Sequence, residues 1–167
     1  FKNKVLALAT EDENGAKFKD LLGKTDVSFM INDTTGYVKL SKFSRSSYTE
    51  FRKAVDTLKG AGMRKLIFDL RDNGGGFMDQ AILMSNEFFG KGTLMVYVEG
   101  AHYSREDIHA DGRGTCRDLE LAVLVNENSA SSSEIFAGSI QDNDRGTIYG
   151  LRTFGKGLVQ EPMYFSD

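Results

Sequence analysis

The chain has 167 residues, of which 40% are hydrophobic, so it can bury one substantial core, and its length fits a single domain. A net charge of −3 gives no basic surface for nucleic acid or for an anionic membrane, and neither is expected as a partner. The single cysteine, Cys116, excludes an internal disulfide, and no apolar run approaches the roughly 20 residues that cross a bilayer.

Strand-like and helix-like segments alternate along the chain. The patterns predict strands at residues 36–43, 65–71, 93–98, 121–125 and 147–150, with helices after the first, second and fourth of them. This order is typical of βαβ units, which predicts an α/β fold with a largely parallel sheet. The uninterrupted apolar run LAVLV in the fourth strand indicates burial on both faces of that sheet.

Two regions do not follow this alternation. Residues 101–120 are polar and irregular, and we expect them to form a long surface connection. The first 24 residues have some helical periodicity but no clear relation to the rest. We therefore treat residues 1–30 as an N-terminal segment whose relation to the rest is not indicated, and expect residues 31–167 to form the core domain.

Two loops follow predicted strands and so lie at the edge where parallel sheets carry their sites. In the first, RDNGGG at 71–76, the glycines allow backbone N–H groups to approach an anion or oxyanion, although a tight turn explains the pattern equally well. The phosphate-binding patterns of P-loops and dinucleotide folds are absent. Asp69 and Asp72 have no third ligand nearby, so no metal and no cofactor is expected.

The second loop, NENSAS at 126–131, opens a serine-rich helix. Ser131 and Glu134 fit the S-x-x-E capping box, in which hydroxyl and carboxylate pair with backbone N–H groups of the first turn. Capping alone explains this serine. A nucleophile would also need a base, yet His102 and His109 both lie in the polar connection, and the G-x-S-x-G elbow is absent.

Lys156 is the alternative base. A lysine can replace histidine where its surroundings favour the neutral amine. This lysine stands between two glycines just after the fifth predicted strand, and we expect its neighbours Phe154 and Leu158 to shield it from water. Most lysines are solvated surface groups, so the residue type alone does not indicate catalysis.

Three blocks of the sequence carry a family resemblance: DLRDNGGG, NENSASSSEIFAGSIQDNDRG and TFGKGLVQ, in this order. They are similar to the signature blocks of the carboxyl-terminal processing proteases, or tail-specific proteases, of serine peptidase family S41. The spacing of serine and lysine also matches, and the resemblance covers residues 36–167. It implies a crotonase-like (ClpP/crotonase) α/β core and a serine-type endopeptidase that hydrolyses protein substrates near their C-termini.

The resemblance also implies roles for individual residues. It makes Ser131 the nucleophile, Lys156 the general base and Gln160 the residue that orients the lysine. It places the oxyanion hole at Gly75, Gly76 and the N–H of Ser132, and supporting acidic groups at Glu134 and Asp142. The usual motif has alanine where this chain has Ser132, but a backbone donor does not depend on its side chain.

The resemblance further implies what accompanies this core. Members usually carry a PDZ domain that captures the substrate's C-terminal carboxylate, and no segment here resembles one. We therefore expect an incomplete catalytic core, with the PDZ domain elsewhere in the full-length protein. Polypeptide substrates and a cell-envelope location are implied in the same way, whereas the oligomeric state is not indicated.

Two other interpretations use the same fold. One is a non-catalytic module that binds a ligand or peptide, and the other is a crotonase relative that handles acyl-CoA. The intact Ser131, Lys156 and Gln160 argue against the first, and the second has no need of the serine–lysine pair.

Overall fold

The computed structural model describes residues 27–158, and within them the chain forms seven strands and three helices. The strands are β1 Val27–Met30, β2 Thr35–Lys39, β3 Lys65–Asp69, β4 Leu94–Gly100, β5 Tyr103–His109, β6 Glu120–Val125 and β7 Thr147–Gly150. The helices are α1 Ser47–Gly60, α2 Met78–Asn86 and α3 Ser132–Asp142. None of these helices is long and apolar enough to cross a membrane. The expectations for residues 1–26 and for Gln160 lie outside the described residues.

Five strands form one sheet in the order β1, β2, β3, β6, β7. β1 is antiparallel to β2, whereas β2 with β3, β3 with β6, and β6 with β7 are parallel pairs. The predicted α/β class and largely parallel sheet are thus confirmed. Because four strands run in the same direction, their carboxyl ends meet at one edge of the sheet.

The three helices pack on one face of this sheet. Side chains along each strand alternate between faces, so Leu66 and Phe68 of β3 contact the helices while Ile67 faces the other side. Phe68 belongs to an aromatic cluster whose neighbouring ring centroids lie 4.9 to 6.2 Å apart and which also includes Phe51, Phe88 and Phe136. This packing fixes the position of α3, which carries Phe136, relative to β3.

Two expectations about the middle of the chain are wrong. The strand predicted at 93–98 is not part of the parallel sheet, because β4 pairs antiparallel with β5 in a separate two-stranded sheet. The surface connection expected at 101–120 contains β5, whose residues are almost all exposed. A strand with so little burial has no apolar alternation, and its sequence therefore resembles a loop.

β1 was not predicted either. It pairs with β2 along its whole length, from Val27 opposite Lys39 to Met30 opposite Gly36. The sheet of the core domain therefore begins before residue 31.

Candidate active site

A cleft lies at the edge of the sheet where the four parallel strands end. Its volume is about 530 Å³, within the range of ligand-binding clefts. The lining comprises Ser41, Lys42, Gly74, Gly75, Gly76, Phe77, Met78, Ser131, Ile135, Lys156 and Leu158. The structure thus brings together the two loops singled out in the sequence, and Ser131 and Lys156 line the same space.

Ser131 has an unusual backbone conformation. It is the residue before α3, with φ of 55° and ψ of −113°. A positive φ in a residue other than glycine costs on the order of 1 to 3 kcal/mol and persists only where the surrounding contacts impose it. A serine strained at the turn from a buried strand into a helix is the arrangement of a nucleophile elbow, and the helix N-terminus favours negative charge there.

The capping box predicted at Ser131 and Glu134 is present. The glutamate half of the box is the bond in which Glu134 Oε2 accepts the Ser131 N–H at 2.9 Å. The Glu134 N–H also donates to the Ser131 backbone carbonyl at 2.8 Å. The same carboxylate extends to the lysine segment, where Oε1 accepts the Gly155 N–H at 2.6 Å and Oε2 accepts the Lys156 N–H at 2.8 Å. Glu134 therefore joins the start of α3 to the backbone of the lysine.

The pKa of Glu134 is lowered. Partial burial raises it, but hydrogen bonds from the Thr153 side chain and from the backbone N–H groups of Gly155, Lys156 and Ser131 outweigh that effect. The carboxylate therefore stays ionised at neutral pH. It acts here as a fixed hydrogen-bond acceptor and not as a proton donor.

Of the three predicted oxyanion donors, one is engaged elsewhere. The Gly75 N–H donates to Asn73 Oδ1 at 2.8 Å, and the role of Gly75 as an oxyanion donor stays a prediction. The N–H groups of Gly76 and Ser132 donate to no other group in the part of the chain that the structure describes. These two remain available to a ligand in the cleft.

Close packing explains why glycine occupies positions 75 and 76. A Cβ on Gly75 would lie 2.7 Å from the Ala130 carbonyl oxygen and 2.8 Å from Ser131 Cβ, and one on Gly76 would collide with the Phe43 carbonyl. Both residues also have a positive φ, of 95° and 146°. The glycine loop therefore lies directly against the serine, with no space for a side chain between them.

Asn73 was not singled out in the sequence, yet it connects three cleft loops. It is fully buried, and its Nδ2 donates to the Leu40 carbonyl at 2.8 Å while Oδ1 holds the Gly75 N–H. Its own carbonyl accepts the Ala130 N–H at 3.0 Å and the Ser133 hydroxyl at 2.8 Å. One feature of the sequence could have indicated this role. Asn73 stands at the start of the glycine loop, where an asparagine side-chain oxygen commonly accepts the backbone N–H two residues further on.

Lys156 follows β7, on a segment that is hydrogen-bonded to the serine loop, the loop at residues 126–131 that ends at Ser131. The Phe154 N–H donates to the Ser129 carbonyl at 3.0 Å. The expected shielding of Lys156 is wrong, because the side chains of Phe154 and Leu158 are 69% and 75% exposed. Lys156 is itself exposed and, among the described residues, forms no hydrogen bond with Ser131. The two residues line the same cleft without a hydrogen bond between them in the described part of the chain.

The two aspartates near the glycine loop, Asp69 and Asp72, form hydrogen bonds and an ion pair within the protein. Asp72 Oδ1 accepts hydrogen bonds from the side-chain amides of Asn128 and Asn126, both at 2.8 Å, and these lower the pKa of Asp72. Asp69 is fully buried and pairs with the Arg71 guanidinium at 2.7 Å. Asp72 therefore joins the loops after β3 and β6, whereas Asp69 supports the end of β3.

Asp142 and the two histidines do not line the described cleft. Asp142 is the exposed last residue of α3, roughly 16 Å along the helix from Ser131 at 1.5 Å per residue, and its supporting role stays a prediction. His102 and His109 are exposed in the β4–β5 region. Gln160 lies outside the described residues, so its role also stays a prediction.

Sequence comparison places this chain in a family. The profile of peptidase family S41 matches residues 34–167. The chain is 34% identical over 162 residues to a probable CtpA-like serine protease of Staphylococcus saprophyticus, covering 93% of this chain and 33% of that protein. A probable CtpA-like serine protease of Staphylococcus aureus is 33% identical, with the same coverage. The chain belongs to peptidase family S41, and it spans about a third of the length of the curated relatives it matches.

Solved structures agree with this assignment. The photosystem II D1 C-terminal processing protease superposes with a TM-score of 0.71 at 35% identity, over 76% of this chain and 33% of that one. The tricorn protease superposes with a TM-score of 0.53 at 23% identity, over 78% of this chain and 12% of that one, a likeness that concerns the fold alone. The family resemblance noted in the sequence is confirmed.

Proposed function

We propose that the full-length protein is a serine endopeptidase that hydrolyses protein substrates near their C-termini with a Ser131–Lys156 dyad. The observation that carries this proposal is the strained backbone of Ser131 at the start of α3, in a cleft that Lys156 also lines. A nucleophile, a nearby amine and two available backbone donors are the parts that acyl transfer requires. Membership of a peptidase family supports the same reaction.

In the proposed reaction, the neutral amine of Lys156 takes the proton of the Ser131 hydroxyl as Oγ attacks the scissile carbonyl carbon. The tetrahedral intermediate then expels the amine product, which receives the proton from the lysine ammonium. A water molecule attacks the resulting ester, with Lys156 again accepting the proton. The second tetrahedral intermediate expels Ser131 Oγ, which receives this proton from the lysine ammonium, and the acid product leaves.

The oxyanion hole stabilises the negative charge of the tetrahedral intermediate. We assign its donors as the N–H groups of Gly76 and Ser132, because neither is used within the described chain. Such donors stabilise the transition state by about 3 to 4 kcal/mol each in other acyl-transfer enzymes. The N-terminus of α3 adds a favourable field at the same point.

Three finer parts of the proposal rest on the family alone. Gln160 orients the amine of Lys156, a PDZ domain elsewhere in the full-length protein presents the substrate, and the enzyme acts in the cell envelope. The similarity to the photosystem II D1 C-terminal processing protease, at 35% identity, supports the preference for C-terminal sites. Because this chain spans about a third of its relatives, these statements concern the full-length protein.

The test is hydrolysis of an unstructured protein and of fluorogenic peptides by the full-length protein. Ser131→Ala and Lys156→Ala should each lower kcat to background, and the double variant should lose no more than either, because the two residues act as one unit. Lys91→Ala, an exposed lysine outside the cleft, is the matched control and should be unaffected. Full activity of Ser131→Ala contradicts the assignment. Peptide binding without hydrolysis by the unaltered protein instead supports the binding module.

A further inference from the structure

We propose that Asn73 is a positioning residue of the oxyanion hole. The inference rests on the proposed function and concerns how the donor at Gly76 is aimed into the cleft. Asn73 touches no reacting atom, because it is fully buried beneath the glycine loop. It acts through the backbone of the two residues that follow Gly74.

The first argument is the choice between two neighbouring donors. Gly75 is buried and its backbone N–H therefore needs a partner within the protein, whereas Gly76 is exposed to the cleft and its N–H does not. Asn73 Oδ1 takes the Gly75 N–H at 2.8 Å, so the Gly76 N–H is the one left for the oxyanion. Without this acceptor, the peptide between Gly74 and Gly75 is free to rotate, and glycine has no side chain to oppose that rotation.

The second argument is how rigidly Asn73 itself is held. Its Nδ2 donates to the Leu40 carbonyl at 2.8 Å, which fixes the amide plane and therefore the direction of Oδ1. Its carbonyl accepts the Ala130 N–H at 3.0 Å and the Ser133 hydroxyl at 2.8 Å, one residue before and two residues after the nucleophile. The same residue thus sets the glycine loop and the serine loop relative to each other.

A second contact holds the glycine loop on the other side of the Gly76 N–H, at the peptide between Gly76 and Phe77. The Ser132 hydroxyl donates to the Gly76 carbonyl at 2.9 Å, and the residue is buried. The side chain of Ser132 is therefore not a neutral replacement for the alanine of the usual motif. Asn73 holds the N–H end of the Gly75–Gly76 pair, and Ser132 holds its carbonyl end.

The test uses variants of Asn73 in the full-length protein. Asn73→Leu keeps the approximate shape but removes the acceptor and the donor. Asn73→Asp keeps an acceptor for Gly75 but, when ionised, directs a carboxylate oxygen at the Leu40 carbonyl; when protonated, its O–H can donate there as the amide does. The matched control is Glu87→Gln, another buried polar residue that accepts hydrogen bonds from Tyr48, Arg52 and Thr115 away from the cleft.

The measurements are kcat, KM, the affinity of a peptide aldehyde, and the affinity of a substrate peptide for each variant in a Ser131→Ala background. Because the oxyanion exists in the aldehyde adduct but not in the bound peptide, Asn73→Leu should lower kcat and aldehyde affinity together, by about 10- to 100-fold. KM and peptide affinity should change by less than about twofold. Glu87→Gln should lower Tm while leaving kcat and aldehyde affinity unchanged.

The Asp variant and a double variant keep the proposal testable if Asn73→Leu does not fold. The kcat of Asn73→Asp relative to wild type should rise as the pH falls, since protonation restores the donor. Adding Ser132→Ala to Asn73→Asp should cost less than the product of the two single effects, because the two contacts hold the peptides on either side of the Gly76 N–H and so fix the same donor. Unchanged kcat and aldehyde affinity in these variants, with hydrolysis by wild type intact, would overturn the role of Asn73 but not the proposed function. Absence of hydrolysis and of aldehyde binding in wild type would overturn both.

Discussion

The carboxylate of Glu134 accepts the backbone N–H of Lys156 at 2.8 Å. The same oxygen accepts the N–H of Ser131 at 2.9 Å, so one side chain fixes the backbones of both members of the proposed dyad. A residue that looks like a helix cap in the sequence therefore also holds the backbone of Lys156 close to the backbone of Ser131.

Replacing Glu134 with glutamine should lower both kcat and stability. Glutamine has one acceptor oxygen, and its NH₂ group would face a backbone donor that the carboxylate now satisfies. We expect kcat/KM to fall by about tenfold or more, since small displacements of catalytic groups are costly. Glu127→Gln makes the same change at an exposed site in the neighbouring loop and should be silent. Equal activity of the two variants would contradict the role of Glu134.

The stability effect of Glu134 should depend on pH. Because the pKa of Glu134 is lowered by folding, the ionised carboxylate stabilises the folded state above the unfolded-state pKa of about 4.3. This stabilisation is lost as the pH falls through the folded-state pKa. The difference in Tm between wild type and Glu134→Gln should therefore be constant near neutral pH and shrink below about pH 4. A difference that does not change with pH would contradict the hydrogen-bonding scheme.

Gly75 and Gly74 form a matched pair. A Cβ on Gly75 would lie 2.8 Å from Ser131 Cβ at a backbone with φ of 95°, whereas a Cβ on Gly74 meets nothing within 4 Å. Gly75→Ala should therefore lower kcat by at least about 100-fold, while Gly74→Ala should keep most of the activity. Steady-state kinetics on folded samples, checked by circular dichroism, decide the point. Comparable kinetics for the two variants would show that the glycine loop does not lie against the nucleophile.

The two histidines should be dispensable. His102 and His109 are exposed in the β4–β5 region and do not line the described cleft. His102→Ala and His109→Ala should each change kcat/KM by less than about twofold, because a lysine base leaves no task for imidazole. A loss of turnover in either, with an unchanged melting temperature, would indicate a histidine-dependent mechanism.

Gln160 should affect catalysis through Lys156. If its amide orients the lysine amine, Gln160→Ala should lower kcat more than it raises KM, and Gln160→Asn should restore little because its reach is shorter. The neighbouring Glu161→Ala, with the same kinetics, is the control. A change confined to KM would place Gln160 in substrate binding instead.

The sequence was sufficient for the parallel sheet and for the position of the serine loop. Residues 121–125 are apolar because both faces of β6 are buried in the sheet. A hydrophobic pattern in the sequence indicates this kind of burial. The same pattern does not report the partner of a strand, so β4 was assigned to the wrong sheet. β5 buries almost nothing and left no pattern to detect.

The details of the site depend on contacts that residue spacing does not contain. Gly75 and Gly76 are the same residue type, and only the hydrogen bond that the Gly75 N–H donates to Asn73 Oδ1 distinguishes the engaged donor from the available one. The Ser132 hydroxyl contacts a carbonyl 56 positions away in the chain. Such contacts follow from the way the loops after β3 and β6 meet, which requires the register of the sheet to be known.

The central claim, that Ser131 is the nucleophile, is tested most directly by labelling the full-length protein with a fluorophosphonate and mapping the adduct by mass spectrometry. The account predicts one adduct at Ser131, absent in Ser131→Ala, slowed in Lys156→Ala and still at Ser131 in Ser132→Ala. An adduct at Ser132 or at another serine, in a preparation that hydrolyses peptides, would contradict it.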